Sequence, residues 1–144
     1  MKIHIRQINP AGIELQESLS SEWVGLTQKD NIRFVGPVTV KAEINRVDDE
    51  VFVKITASSC YQSSCYRCLE DMKKDWSTDF TLIFDIDKQE EFIDISEDVR
   101  QELILNLPAR VLCQENCKGL CVDCGVNLNN QECEHKHSIV SSKV

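Results

Sequence analysis

The chain has 144 residues, 42% of them hydrophobic, which suits one domain with a modest core, or one domain carrying a small metal-stapled appendage. Sixteen basic against twenty-four acidic residues leave a formal charge of −8. That balance excludes general electrostatic attraction to nucleic acid: contact with RNA would need a local basic patch, and otherwise the partner is a basic protein.

Taken in order, Lys2 to Arg6 alternates, with Ile3 and Ile5 on one side and His4 on the solvated side, and reads as a short strand. Residues 9 to 31 read as irregular connection with a short strand around Ile13 to Leu19. Regular β pattern begins at Ile32 and Phe34. Val38, Val40, Ala42 and Ile44 then take every second position, with Thr39, Lys41 and Glu43 facing water. Asp48-Asp49-Glu50 signals a turn, and Val51, Val53, Ile55 and Ala57 resume the alternation, so residues 38 to 60 predict an antiparallel hairpin. Cys60 ends it as a small buried hydrophobe. Trp76, Thr78, Phe80, Leu82, Phe84 and Ile86 predict a third long strand.

Between Asp85 and Glu102 stand the acids Asp85, Asp87, Glu90, Glu91, Asp94, Glu97, Asp98 and Glu102 against the bases Lys88 and Arg100. The stretch reads either as a solvated loop and helix start or as a docking face for a basic partner such as a ribosomal protein. Ser96 is the expected N-cap of a helix over 96–107, with Val99, Leu103 and Leu107 on one face and Pro108 as its stop. The helix is expected to cover one face of the sheet. The predicted class is α+β: an antiparallel β-meander or partial barrel with one covering helix and a C-terminal zinc-stapled Cys-rich tail. Residues 1–112 form the β-rich core, 113–137 the metal-binding tail packed on the 65–68 knuckle, and 138–144 a frayed end.

The cysteines carry the chemistry. Seven of the eight lie at ligand spacings: Cys65-x-x-Cys68, Cys113-x-x-x-Cys117, Cys121-x-x-Cys124 and Cys133-x-His135. Two thiolates three positions apart can bite one ion, and Gly125 after Cys124 supplies the positive φ that turns backbone N–H groups toward sulfur. Cys65–Cys68 is a second knuckle, without the glycine. Disulfides would need an oxidising compartment, yet MKIHIRQINPAGIEL has no signal-peptide core and no stretch approaches a membrane span, so a cytoplasmic protein with reduced thiols is expected. A thiol redox role for Cys65 and Cys68 would call for a βαβ setting, whereas strand-like sequence follows them.

Two tetrahedral sites use every donor. The preferred partition joins Cys65, Cys68, Cys113 and Cys117, and closes the tail on Cys121, Cys124, Cys133 and His135. One ribbon-like site of Cys65, Cys68, Cys121 and Cys124 is the alternative, and His137 competes with His135. One or two structural zinc ions are therefore expected. With all positions filled by protein, and no serine elbow, phosphate loop or paired carboxylates, the reading is non-enzymatic. Arg67 is expected to donate to a sulfur or a carbonyl.

The order of hairpin, Cys65-Tyr66-Arg67-Cys68-Leu69-Glu70, long strand, acidic stretch, helix ending Leu103-Ile104-Leu105-Asn106-Leu107-Pro108, then CQENCKGLCVDCGVNLN and a final cysteine resembles the large ribosomal RNA subunit accumulation protein family, or YceD-like family, over roughly residues 30 to 135. The resemblance implies a bacterial cytoplasmic protein needed for large-subunit ribosomal RNA accumulation, with no known enzyme activity. Family tails commonly end Cys-x-Cys, where this chain has Cys133-Glu134-His135, a change zinc accepts, and they usually continue beyond what SIVSSKV provides. The expected partner is a ribosomal protein or a large-subunit precursor particle, with direct RNA contact left open and neither membrane nor small-molecule substrate involved. A general zinc-ribbon interaction module is the remaining alternative.

Overall fold

The computed structural model describes residues 1–27 and 30–135. His137 and the predicted frayed end at 138–144 lie outside the described residues. The chain divides into two compact units: Met1–Gln62 with Lys73–Pro108, and Ser63–Met72 with the segment from Ala109 onward.

The first unit is organised on β1 (Lys2–His4), β2 (Ile13–Leu19), β3 (Ile32–Phe34), β4 (Val38–Val47), β5 (Glu50–Ser64), β6 (Asp71–Asp85) and β7 (Phe92–Asp94). Its main sheet has the order β2-β4-β5-β3, with β6 also paired to β5. The sheet stays open, in keeping with the meander and not with a closed barrel. Alternation explains its register. Val40 faces Ala57, Ala42 faces Ile55 and Ile44 faces Val53, so these three inward side chains of β4 each meet an inward side chain of β5. All six are fully buried, and removing such groups from water is worth roughly 1.5–3 kcal/mol for each large aliphatic. Asp48 takes a left-handed φ of 51° in the tight reversal between the two strands, a conformation Asp tolerates because its short carboxylate bonds locally. Phe34 packs on Trp76 with ring centroids 5.4 Å apart, so β3 and β6 also contribute to the core.

The N-terminal expectations need amendment. β1 stops at His4, and Ile5–Gln7 winds into a 3₁₀ turn. Its partner is β7, antiparallel, with Ile3 opposite Ile93. The acidic stretch is thus not loop throughout: Ile93 and Ile95 are both buried, and Phe92–Asp94 forms a strand too short to stand out among its carboxylates. Exposed His4 lies against the edge of the Phe92 ring, 6.2 Å between centroids.

The main helix α2 spans Ser96–Leu105, and a single turn α1 spans Ser21–Val24. Ser96 does not cap α2. It is the first helical residue, and its own backbone N–H donates to Asp94 Oδ1 at 3.0 Å, as its hydroxyl does at 2.6 Å. Those bonds hold the Asp94 carboxyl below the usual carboxylate range, and the amino terminus, 4.0 Å away and itself bonded to Ser96 Oγ, adds to the shift. Capping therefore couples α2 to the start of the chain. Val99 and Leu103 are buried, and Arg100 reaches the Val24 carbonyl of α1 at 3.5 Å while pairing with Glu97 at 2.7 Å.

Only one face of α2 carries stability. Leu103→Ala is expected to cost roughly 2–5 kcal/mol by cavity formation, whereas Leu105, 75% exposed, should change to alanine within about 0.5 kcal/mol of neutral, read from urea unfolding midpoints.

Candidate metal centres

The second unit has little apolar material. Its cluster consists of buried Cys65, Cys68 and Cys117, against which Met72, Leu112, Cys113 and Leu120 pack. Four of these seven residues are cysteines, so what holds the sulfurs bears heavily on the unit.

Two turns present the first pair of thiols in each group, and they repeat one hydrogen-bond pattern. Around Cys65 the Cys65 N–H donates to the Glu70 carbonyl at 2.8 Å, and the Leu69 N–H returns to the Cys65 carbonyl at 3.0 Å. Around Cys121 the Cys121 N–H donates to the Val126 carbonyl at 2.8 Å, and the Gly125 N–H returns to the Cys121 carbonyl at 2.9 Å. The fifth residue of each turn must be left-handed: Gly125 has φ 75° and Leu69 has φ 60°. Glycine adopts this freely, whereas leucine there costs about 1–2 kcal/mol. Leu69 thus fills the glycine position of a true knuckle. In the second turn the Asp123 and Cys124 N–H groups aim at Cys121 Sγ, at 3.4 and 3.5 Å.

The Tyr66 N–H bonds to the Val111 carbonyl at 2.8 Å, fixing the segment that leads to Cys113. The structure brings together Cys65, Cys68, Cys113 and Cys117 in one group and Cys121, Cys124, Cys133 and His135 in another, with the donor atoms of each group within 4.8 Å of one another. Cys65 Sγ lies 3.7 Å from Cys117 Sγ, and Cys68 Sγ 3.6 Å from Cys113 Sγ. A tetrahedral zinc with Zn–S bonds of about 2.3 Å sets its sulfurs about 3.8 Å apart, so these edges fit. In the second group Cys121 Sγ and His135 Nδ1 are 3.8 Å apart, against about 3.6 Å for a mixed sulfur and nitrogen edge on zinc. Cys121 is not shared with Cys65 and Cys68, so the ribbon-like pairing is not the one adopted, and half-buried Cys60 belongs to neither group.

Four sulfurs at such separations compete for charge. Burial pushes Cys65 up, but the backbone N–H groups of Cys68, Cys113 and Arg67 outweigh it and bring the thiol down to about 6. Burial and the neighbouring sulfurs push Cys113 up to about 12, and burial pushes Cys68 upward as well. In the other group burial again opposes ionisation, yet the Cys124 and Asp123 N–H groups lower Cys121, while burial raises Cys133. The first group therefore favours a thiolate at Cys65 and opposes one at Cys68 and Cys113, the second favours Cys121 over Cys133, and a divalent cation would replace repulsion between thiolates by attraction.

An asparagine network surrounds the first group. Asn129 Nδ2 donates to Cys117 Sγ at 3.3 Å and to Asn127 Oδ1 at 2.9 Å, while its Oδ1 accepts from the Lys118 N–H at 2.8 Å and from Gln114 Nε2 at 3.1 Å. Asn127 Nδ2 donates to Glu70 Oε1 at 2.9 Å, joining the tail to the Cys65 turn. Arg67 Nη1 donates to the Cys117 carbonyl at 3.0 Å, so its role here is structural. The stretch from Asn127 to Asn130 therefore does more than turn the chain. The missed signal is the density of asparagines just past the knuckle glycine, since a side-chain amide can donate to sulfur while its oxygen accepts from backbone.

With that geometry in hand, the comparison with known proteins is specific. The family described as "Large ribosomal RNA subunit accumulation protein YceD" matches residues 85–143. Over that stretch the chain is similar to the YceD-like family. The matched stretch contains the acidic segment, α2 and six of the eight donors, and stops short of Cys65 and Cys68. The large ribosomal RNA subunit accumulation protein YCED homolog 1, chloroplastic, of Zea mays is 40% identical over 62 residues, 43% of this chain and 20% of the relative. The protein of the same name from Arabidopsis thaliana is 40% identical over 42 residues, 29% of this chain and 13% of the relative. An uncharacterized protein of Mycobacterium leprae (strain TN) is 24% identical over 112 residues, 67% of this chain and 52% of the relative. The matches thus span a fifth or less of the plant relatives and about half of the mycobacterial one. No solved structure matches the chain significantly. Among the described residues no helix is long and apolar enough to cross a membrane.

Loss of the amide bonded to sulfur should be felt by the ion. Asn129→Ala is expected to weaken zinc retention by about 10–100-fold in competition with a chromogenic chelator, the usual range for groups supporting metal ligands.

Proposed function

We propose that this chain is a non-enzymatic zinc-binding protein that promotes accumulation or maturation of large-subunit ribosomal RNA in the bacterial cytoplasm, by binding a ribosomal protein or a large-subunit precursor particle. The observation that carries the zinc half of this reading is the pair of four-donor groups at tetrahedral spacing. Zinc in either would have four protein ligands and no open position, the arrangement of structural and not of catalytic sites. The ribosomal half is supported by the family match and by the names of the plant relatives.

Electrostatics narrows the partner. Zinc would leave a formal −2 on four thiolates and −1 on three thiolates with an imidazole, added to a chain already at −8. Such a surface favours a basic protein over bare RNA phosphate. The acids Asp85, Asp87, Glu90, Glu91, Asp94, Glu97 and Asp98 are exposed, with Arg6 near Glu91 at 3.9 Å and Arg100 on Glu97 as local counter-charges. Surface pairs of this kind are worth little and would yield readily to a cationic partner.

A second reading, thiol redox chemistry at Cys65 and Cys68, draws on the lowered Cys65 pKa of about 6. Against it, Cys65 is fully buried, which bars a protein disulfide from its sulfur. A general zinc-ribbon adaptor unrelated to ribosomes is separated from the proposal by its partners alone.

Sedimentation of a tagged chain from gently lysed cells tests the assignment. Co-migration with large-subunit precursors at moderate salt is expected, weakened when Glu90, Glu91 and Asp94 are made neutral. A chain absent from every ribosomal fraction would contradict binding to the particle and favour the adaptor reading.

A further inference from the structure

Building on the zinc reading above, we propose that the two centres form an ordered pair: Cys65, Cys68, Cys113 and Cys117 hold a resident ion that folds the unit. Cys121, Cys124, Cys133 and His135 hold an exchangeable one, whose loading sets the conformation of the outer knuckle alone.

Burial separates the two. In the first group Cys65, Cys68 and Cys117 are at most 3% exposed and Cys113 is half-buried, so without unfolding a competing chelator reaches Cys113 at most. In the second only Cys121 is buried, while Cys124 and His135 are exposed. Water and small chelators have direct access to half of that donor set.

Anchoring separates them again. The donors of the first group come from two segments tied to each other independently of any ion: Tyr66 to Val111, Arg67 to the Cys117 carbonyl, and Asn127 to Glu70. In the second group Cys133 and His135 stand two residues apart beyond the turn closed by the Gln131 N–H on the Asn127 carbonyl. One excursion of residues 132–135 therefore withdraws two of four donors at once.

The dependence also has a direction. The outer knuckle stands on a small frame, the Leu120–Asn127 bridge and the Leu128 N–H bonded to the Gly119 carbonyl at 2.9 Å. That frame is fastened to the first group through Asn129 on Cys117 Sγ. Losing the first ion would loosen the frame of the second at Asn129, leaving it held by Asn127 on Glu70, whereas losing the second leaves every bond around the first in place.

The equivalent amides of the two turns, Leu69 N–H and Gly125 N–H, report each knuckle separately. The full-length zinc-loaded chain, purified under reducing conditions, would be dialysed against increasing EDTA, with zinc counted by mass spectrometry and both amides followed by hydrogen exchange. The expected result is a plateau at one zinc per chain at which Gly125 has lost protection and Leu69 has kept it. Cys124→Ser should reach the same state directly, with one zinc and a protected Leu69. Cys68→Ser should hold neither ion tightly. Release of both ions in a single step, or Leu69 opening before Gly125, would overturn the ordering while leaving the zinc reading intact. A wild-type chain that neither carries nor takes up zinc would remove the zinc reading itself, and the ordered pair with it.

Discussion

Four sulfurs drawn to within bonding reach of a single point are the constraint on which the second unit depends. Cys65 and Cys117 at 3.7 Å, and Cys68 and Cys113 at 3.6 Å, would repel one another as thiolates, yet they sit at the centre of that unit's small apolar cluster. Met72, Leu112 and Leu120 are too few to order the surrounding loops by burial alone. Cation–thiolate attraction at the proposed zinc would add to the hydrogen bonds of these loops in offsetting the entropy of fixing them. The bonds around the sulfurs make sense in that light. Arg67 on the Cys117 carbonyl and Asn129 on Cys117 Sγ spread the negative charge of the site and fix the direction of its ligands.

The first unit obeys different physics. Its stability comes from alternation: β4 and β5 place small and branched side chains in opposite pairs, and the core closes without any metal. Functional interest there lies on the outside, where carboxylates gather along β7 and the start of α2. Asp94 shows how these acids serve two ends, since it caps α2 and binds the amino terminus while remaining exposed. Neutralising it would disturb the helix start as well as the charge, so Glu90 and Glu91 are the cleaner probes of partner binding.

Much of this was legible in the residues. Period-two alternation announced β4, β5 and β6, because β4 and β5 each have one buried face long enough to repeat and β6 alternates half-buried with exposed positions beyond buried Trp76, and even Ile13–Leu19 showed itself. Ligand spacing separated the eight donors into two fours, because a knuckle brings its two thiols together whatever surrounds it. What escaped was short or non-local. Phe92–Asp94 becomes a strand only because β1 returns to pair with it, and Ser96 loses the capping role to Asp94 because the amino terminus, ninety-odd residues away in sequence, engages its hydroxyl. Leu69 gave no hint of a left-handed backbone, since its φ is imposed by the Cys65–Glu70 bond and not by its side chain. The reach of Asn129 to Cys117 needed the turn at Gly119 to be built first.

Zinc K-edge X-ray absorption on the purified, reduced chain tests the central claim most directly, because it reads donor type and distance at the ion itself. Two centres of the observed composition predict zinc bound mainly by sulfur at about 2.3 Å with a minor nitrogen contribution at about 2.0–2.1 Å, and no longer oxygen shell. A metal-free chain whose cysteines are paired as disulfides, or zinc surrounded largely by oxygen, would contradict the account.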